Sequence, residues 1–111
     1  MKFTFTMPIV INHLYKQGKH GWYKDQKAVD WQEVALWRIK TTKKNFDGFK
    51  GDTVYVTWIR ADKRKWDIDS GLKLLLDTLV KGGILEDDND ITEMHIFKRK
   101  GESNYCEVEI L

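Results

Sequence analysis

Leu72, Leu75, Leu76 and Leu79 recur at i, i+3, i+4 and i+7 between two stretches of strand-like alternation, and this switch of period constrains the fold most. The spacing predicts a helix over about Ser70–Val80. Gly82-Gly83 ends it by supplying the left-handed cap that side-chain-bearing residues disfavour. Before it, Thr53–Arg60 (TVYVTWIR) is dominated by β-branched and aromatic residues and reads as a strand. After it, residues 91–99 and 104–110 alternate, and Gly101 between them predicts a C-terminal β-hairpin. In the last strand Cys106, Val108 and Ile110 share a face, with Tyr105, Glu107 and Glu109 opposite.

Upstream, Lys2–Met7 puts Phe3, Phe5 and Met7 on one side of a half-buried strand, and Pro8 ends regular pairing. Residues 9–21 read as a polar connection, with a short extended piece around Trp22 and Tyr23. From Asp25 to Thr42 there is neither Gly nor Pro. Ala28, Trp31, Ala35 and Ile39 form one stripe there, flanked by Leu36, which predicts an amphipathic helix with Asp25 as N-cap. Gly48 and Gly51 punctuate the loop that follows. Trp31, Trp37 and Trp58 lie within periodic elements and are assigned to the core or to a subunit interface. The predicted order is β-α-β-α-β-β. The class is therefore α/β (α+β), a small mixed β-sheet with two helices, in one domain over residues 1–111. A chain of 111 residues supports one hydrophobic core and not two.

With 41% hydrophobic and 13% aromatic residues the chain is globular material. Cys106 is alone, so no intrachain disulfide forms and a reducing compartment fits best. No stretch approaches the roughly 18 apolar residues of a membrane span, and the N-terminus lacks a signal-peptide core. These features lead to the expectation of a cytoplasmic protein with no membrane partner. Charge is unevenly placed: residues 1–66 carry 14 Lys+Arg against 6 Asp+Glu, and residues 67–111 carry 5 against 11. A basic first half can face a polyanion, while the clustered carboxylates repel phosphate unless a divalent cation lies between. The bland alternative is that these charges solvate different faces.

The candidate chemistry lies in Asp67-Ile68-Asp69-Ser70-Gly71-Leu72-Lys73, then Asp77, then Glu86-Asp87-Asp88-Asn89-Asp90. Asp67 and Asp69, two apart in extended backbone, point to one side. Lys73 follows Asp69 by four residues, one helical turn on. Ordinary roles exist for each: Asp69 as an N-cap, Asp67 as a solvated turn residue, Lys73 and Asp77 as an exposed helix pair, and EDDND as a polar turn. An EF-hand is excluded, because the acidic run lacks the glycine at position 6 and the glutamate at position 12. His13, His20, His95 and Cys106 have no zinc spacing. There is no local signature of Ser-His-Asp or Cys-His catalysis. No Walker-type glycine loop occurs, so no nucleotide cofactor is expected.

The stretch WDIDSGLKLLLDTLVKGGILEDDNDI, Trp66–Ile91, resembles the signature of the RusA-type Holliday-junction resolvases: Asp-x-Asp-Asn-x-x-Lys, an apolar helix carrying Asp-Ala-Leu, a Gly-containing turn and Asp-Asp. Asp67, Asp69 and Lys73 fall on the first part, Asp77-Thr78-Leu79 on the second and Asp87-Asp88 on the last. FTFTMPIVINHLYK upstream is similar to the family's first strand, proline and Asn/Tyr segment, so the likeness covers nearly the whole chain. Two positions depart from the pattern: Ser70 stands where the family usually has Asn, and Trp66 where a basic residue is common. The resemblance implies a RusA-like fold, a homodimer, and a metal-dependent endodeoxyribonuclease that resolves four-way junctions by paired symmetric nicks. In it Asp67, Asp69 and Asp88 hold Mg²⁺ (Mn²⁺ as substitute), with Asp87 an alternate ligand or a support. Lys73 stabilises charge developing on the phosphate, and branched DNA is the partner.

DNA contacts are expected from the basic segments Lys63, Arg64 and Lys65, with Trp66, and from Lys16, Lys19, His20 and Lys24. Trp22 and Tyr23 could stack on bases, core burial being the alternative for Trp22. Two other functions stay open at this point: a branched-DNA-binding protein of the same fold with weak catalysis, and an interaction module whose acidic cluster takes a basic partner.

Overall fold

The computed structural model describes residues 1–7, 15–18, 21–24, 26–43, 51–62, 68 and 71–111, the side chains of 15–18, 21–24, 43 and 88 excepted. In chain order its elements are β1 (Lys2–Thr6), β2 (Tyr15–Gly18), β3 (Gly21–Lys24), α1 (Gln26–Lys43), β4 (Thr53–Arg60), α2 (Leu72–Lys81), a 3₁₀ turn η1 (Asp88–Asp90), β5 (Glu93–Lys100) and β6 (Tyr105–Ile110). The main sheet runs β1-β6-β4-β5. β4 is parallel to β5 and antiparallel to β6, which is antiparallel to β1. This is the expected mixed α+β arrangement.

Among the described residues β2 and β3 pair only with each other, in a register that sets Gly18 opposite Gly21. The sequence reading gave most of this hairpin to a polar connection. Strands of four residues with glycine at the reversal are too short to display a period of two. Asp25, the expected cap of α1, lies outside the described residues.

The expected C-terminal hairpin does not form: β5 and β6 are consecutive in sequence, yet β4 lies between them. Residues 101–104 carry the chain across the end of β4. There the Gly101 N–H donates to the Arg60 carbonyl at 3.1 Å, and the Ala61 N–H donates to Asn104 Oδ1 at 2.8 Å. A Cβ on Gly101 would fall 2.4 Å from Ile59 Cγ2, so only glycine lets the crossing lie this close. Burial decides the topology. β4 is the most apolar strand, with Val54, Val56 and Trp58 at most 1% exposed, and the central position gives its backbone partners on both edges.

Both helices cover one face of the sheet. Phe3, Phe5, Val54, Val56, Trp58, Cys106, Val108 and Ile110 pack there with Ala28, Trp31, Ala35 and Ile39 of α1 and Leu74, Leu75 and Leu79 of α2. The α1 stripe is the one its spacing predicts. In α2 the buried face is rotated: Leu74, Leu75, Thr78 and Leu79 are buried, whereas Leu72 and Leu76 are half-buried. The helix meets both the sheet and α1, so its covered face is wider than one stripe and includes a polar side chain. Thr78 Oγ1 donates to the Leu74 carbonyl at 2.7 Å and accepts from Gln32 Nε2 at 3.0 Å, which satisfies both buried groups. Trp31 and Trp58 are core residues. Trp37 is not; it stands 67% exposed on α1 beside Val34.

α2 ends in a paired cap in which the Gly83 N–H bonds the Val80 carbonyl and the Ile84 N–H bonds the Leu79 carbonyl, each at 3.0 Å. The left-handed residue is Gly83, at φ 79°. No helix among the described residues is long and apolar enough to cross a membrane.

Candidate functional site

Ile68, the residue between the two aspartates of the acidic motif, is anchored to the sheet. Trp58, near the carboxyl end of β4 and 1% exposed, donates its indole N–H to the Ile68 carbonyl at 2.6 Å. A buried indole needs such a partner, because an unmade hydrogen bond there costs about 1–3 kcal/mol. The bond holds the Ile68 backbone against the end of β4, while the Ile68 side chain itself is exposed.

The start of α2 follows. Its N-cap is Gly71, in the left-handed region at φ 78°, where a Cβ would be strained. The helix therefore begins at Leu72 rather than Ser70. The cap position lies two residues beyond Asp69, which removes N-capping as the explanation of that aspartate. Lys73, in the first turn of α2, is exposed, and Asp77 is half-buried. Among the described residues no ion pair joins the two, so an exposed helix pair accounts for neither.

The second acidic segment is a structured turn. The Asn89 N–H donates to Asp87 Oδ1, and the Asp87 N–H donates to Asp90 Oδ2, both at 3.1 Å. Asp87 and Asp90 thus shape the turn that presents Asp88 at the start of η1, and η1 lies against α2. For Asp87 and Asp90 the polar-turn role is real.

Of the other expected site residues, Lys16 stands in β2 opposite Tyr23, and Lys24 ends β3 opposite Tyr15. Lys19, Lys63, Arg64, Lys65, Trp66, Asp67 and Asp69 lie outside the described residues, as do His20 and the side chains of Asp88, Lys16, Lys24, Trp22 and Tyr23. No group of three or more His, Cys, Asp or Glu able to hold a metal occurs among the described residues.

Among the described residues, the soft or borderline ligands Cys106 and His95 are engaged elsewhere. Burial pushes the Cys106 thiol up to about 12, with the charge of Glu107 adding to the effect. His95 stacks on Tyr55 with ring centroids 4.7 Å apart and lies 2.9 Å from Glu93 Oε1. Both rings project from the sheet face opposite Val54, Val56 and Trp58.

The sequence reading passed over one charged group. Lys98, Arg99 and Lys100 close β5, exposed, at the end of the sheet where Trp58 holds Ile68. Their consecutive charge was visible, but the alternation of residues 91–99 was read for burial alone. Nearby, Arg60 is engaged with Asp62 through Nε at 2.9 Å and Nη2 at 2.7 Å.

Comparison with known proteins identifies the family. The family model described as endodeoxyribonuclease RusA matches residues 8–111. The crossover junction endodeoxyribonuclease RusA of Aquifex aeolicus (strain VF5) is 32% identical over 100 residues, covering 84% of this chain and 75% of that protein. The chain belongs to the RusA family of endodeoxyribonucleases.

Proposed function

We propose that the protein is a Mg²⁺-dependent, structure-selective endodeoxyribonuclease that resolves four-way DNA junctions by paired symmetric nicks as a homodimer. The observation that carries the reading is the family match over residues 8–111, a span that contains Asp67, Asp69, Lys73 and Asp88. The Aquifex relative is named for crossover-junction cleavage, which supports branched DNA as the substrate.

Asp67, Asp69 and Asp88 would hold the cation, and the donor set suits a hard ion. It is all carboxylate, and among the described residues Cys106 is buried and His95 is engaged on the other sheet face. When bound, Mg²⁺ or Mn²⁺ supplies an acidified water and neutralises charge on the scissile phosphate. The chain's own parts do the rest. Trp58 anchors the Ile68 backbone between the two aspartates in sequence, and hydrogen bonds of Asp87 and Asp90 shape the turn that contains Asp88. Lys73, exposed in the first turn of α2, would reach a phosphate oxygen. Lys63, Arg64, Lys65 and Trp66 adjoin the motif in sequence and would grip the flanking backbone, with Lys16, Lys19 and Lys24 of the hairpin region reaching further along it.

A synthetic four-way junction tests this directly. The parent is expected to cut it symmetrically in Mg²⁺ or Mn²⁺, and Asp69→Asn to bind it in EDTA without cutting in either metal. Binding without cleavage by the parent would establish a branched-DNA-binding protein instead. Absence of salt-sensitive DNA binding would leave the interaction-module reading.

A further inference from the structure

We infer that the exposed carboxyl end of edge strand β5, Lys98-Arg99-Lys100, is a phosphate-binding surface for a duplex arm of the DNA substrate, beside the acidic motif. The inference rests on the nuclease reading above and adds a contact surface to it.

Register fixes where these cations stand. β4 and β5 are parallel and pair Trp58 with Lys98, Ile59 with Arg99 and Arg60 with Lys100. Register partners in a sheet project to the same face. Lys98 therefore stands on the face from which the Trp58 indole reaches Ile68, the residue between Asp67 and Asp69 in sequence. β5 is the edge of the sheet, and all three residues are exposed.

Charge placement points the same way. Residues 67–111 hold 5 Lys+Arg, and this run contains three of them at the end of strand β5, Lys98 and Lys100 on the Trp58 face and Arg99 on the other, so that the charge straddles the sheet edge. Among the described residues, the first acids after the ends of β4 and β5 in the sequence are Asp62 and Glu102. Asp62 is occupied by Arg60, with which it forms two hydrogen bonds, and by the Asn104 amide at 3.3 Å. Glu102 lies beyond the strand in the crossing segment. Arg99 is held in place rather than free to wander: its guanidinium lies 4.9 Å over the Phe97 ring, and Nη1 donates to the Lys98 carbonyl at 2.9 Å. A guanidinium ordered in this way keeps further N–H groups for a phosphate and loses less entropy on binding.

The competing explanation is edge protection, in which charges on an outer strand merely discourage pairing with other chains. It requires no DNA contact, so salt-dependent binding separates the two. The full chain carrying Lys98→Ala, Arg99→Ala and Lys100→Ala would be titrated against a four-way junction in EDTA across a salt series. The parent and a charge-matched variant, Lys2→Ala, Lys40→Ala and Lys81→Ala, would run alongside, with circular dichroism confirming that each folds. Each lost phosphate contact lowers the slope of log K against log salt by about 0.9. A slope reduced by roughly 2 to 3, with binding weakened at least tenfold near 0.1 M salt, is the expected result for the β5 variant. The charge-matched variant should stay within about twofold of the parent. A parent-like slope in the β5 variant, or an equal loss in the charge-matched one, overturns the inference and leaves the nuclease reading intact. Failure of the parent to bind the junction overturns both.

Discussion

The indole N–H of Trp58 and the carbonyl of Ile68 are joined at 2.6 Å, linking the most buried aromatic of the central strand to the residue between Asp67 and Asp69. Through this bond the rigidity of the sheet passes to a segment whose own side chain at 68 is exposed. Groups that orient metal-binding residues from behind commonly alter affinity or rate by about 10–100-fold when removed.

Trp58→Phe keeps a ring in the core and deletes the donor. Stability should fall by about 1–2 kcal/mol in urea titration. Single-turnover junction cleavage should drop by about tenfold or more, and Mn²⁺ affinity measured by electron paramagnetic resonance should weaken in parallel. Junction affinity in EDTA should not change. Parent-like Mn²⁺ binding and cleavage in this variant would mean that the bond serves packing alone.

Thr78→Val exchanges a fully buried hydroxyl for a methyl of similar shape and leaves the Gln32 amide without its 3.0 Å acceptor. A loss of about 1–3 kcal/mol is expected. Gln32→Leu in the same background should recover part of it, because both polar partners are then gone. Additive losses in the double variant would argue against coupling between the helices at this point.

At Gly101 the sheet topology itself can be probed. A methyl group there would meet Ile59 Cγ2 at 2.4 Å on the segment crossing β4. Gly101→Ala should cost about 1–3 kcal/mol, and Ile59→Val should relieve some of it. A β5–β6 hairpin would tolerate the alanine, so an unchanged melting temperature would contradict the crossing.

Cys106 predicts a pH effect of definite sign. Its thiol is held up at about 12 by burial, against an ordinary value of 9.0. Above pH 9 the unfolded chain ionises and the folded chain does not. The stabilisation is therefore complete below pH 9 and is lost progressively as pH rises from 9.0 towards 12. Urea midpoints at pH 7 and pH 10 should separate more for the parent than for Cys106→Ala. Native thiol alkylation at pH 8 should be far slower than in urea.

Local spacing alone determined a good deal about this protein. The α1 stripe of Ala28, Trp31, Ala35 and Ile39, the strands β1, β4 and β6, the Gly82-Gly83 stop and the family of the acidic motif were all legible, because each is written in residues at most a few positions apart. Tertiary structure decided the rest. β4 separates β5 from β6 because burying Val54, Val56 and Trp58 at the centre outweighs pairing between sequence neighbours. Thr78 turns inward because Gln32, 46 positions away, meets its hydroxyl. Trp37 stays outside because the covered face of α1 is already filled. The tie from Trp58 to Ile68, and the alignment of Lys98–Lys100 with the acidic end of the sheet, follow from strand register, which no local pattern encodes. Periodicity specifies which face of an element is apolar; only the competition among all faces for one core specifies what that face meets.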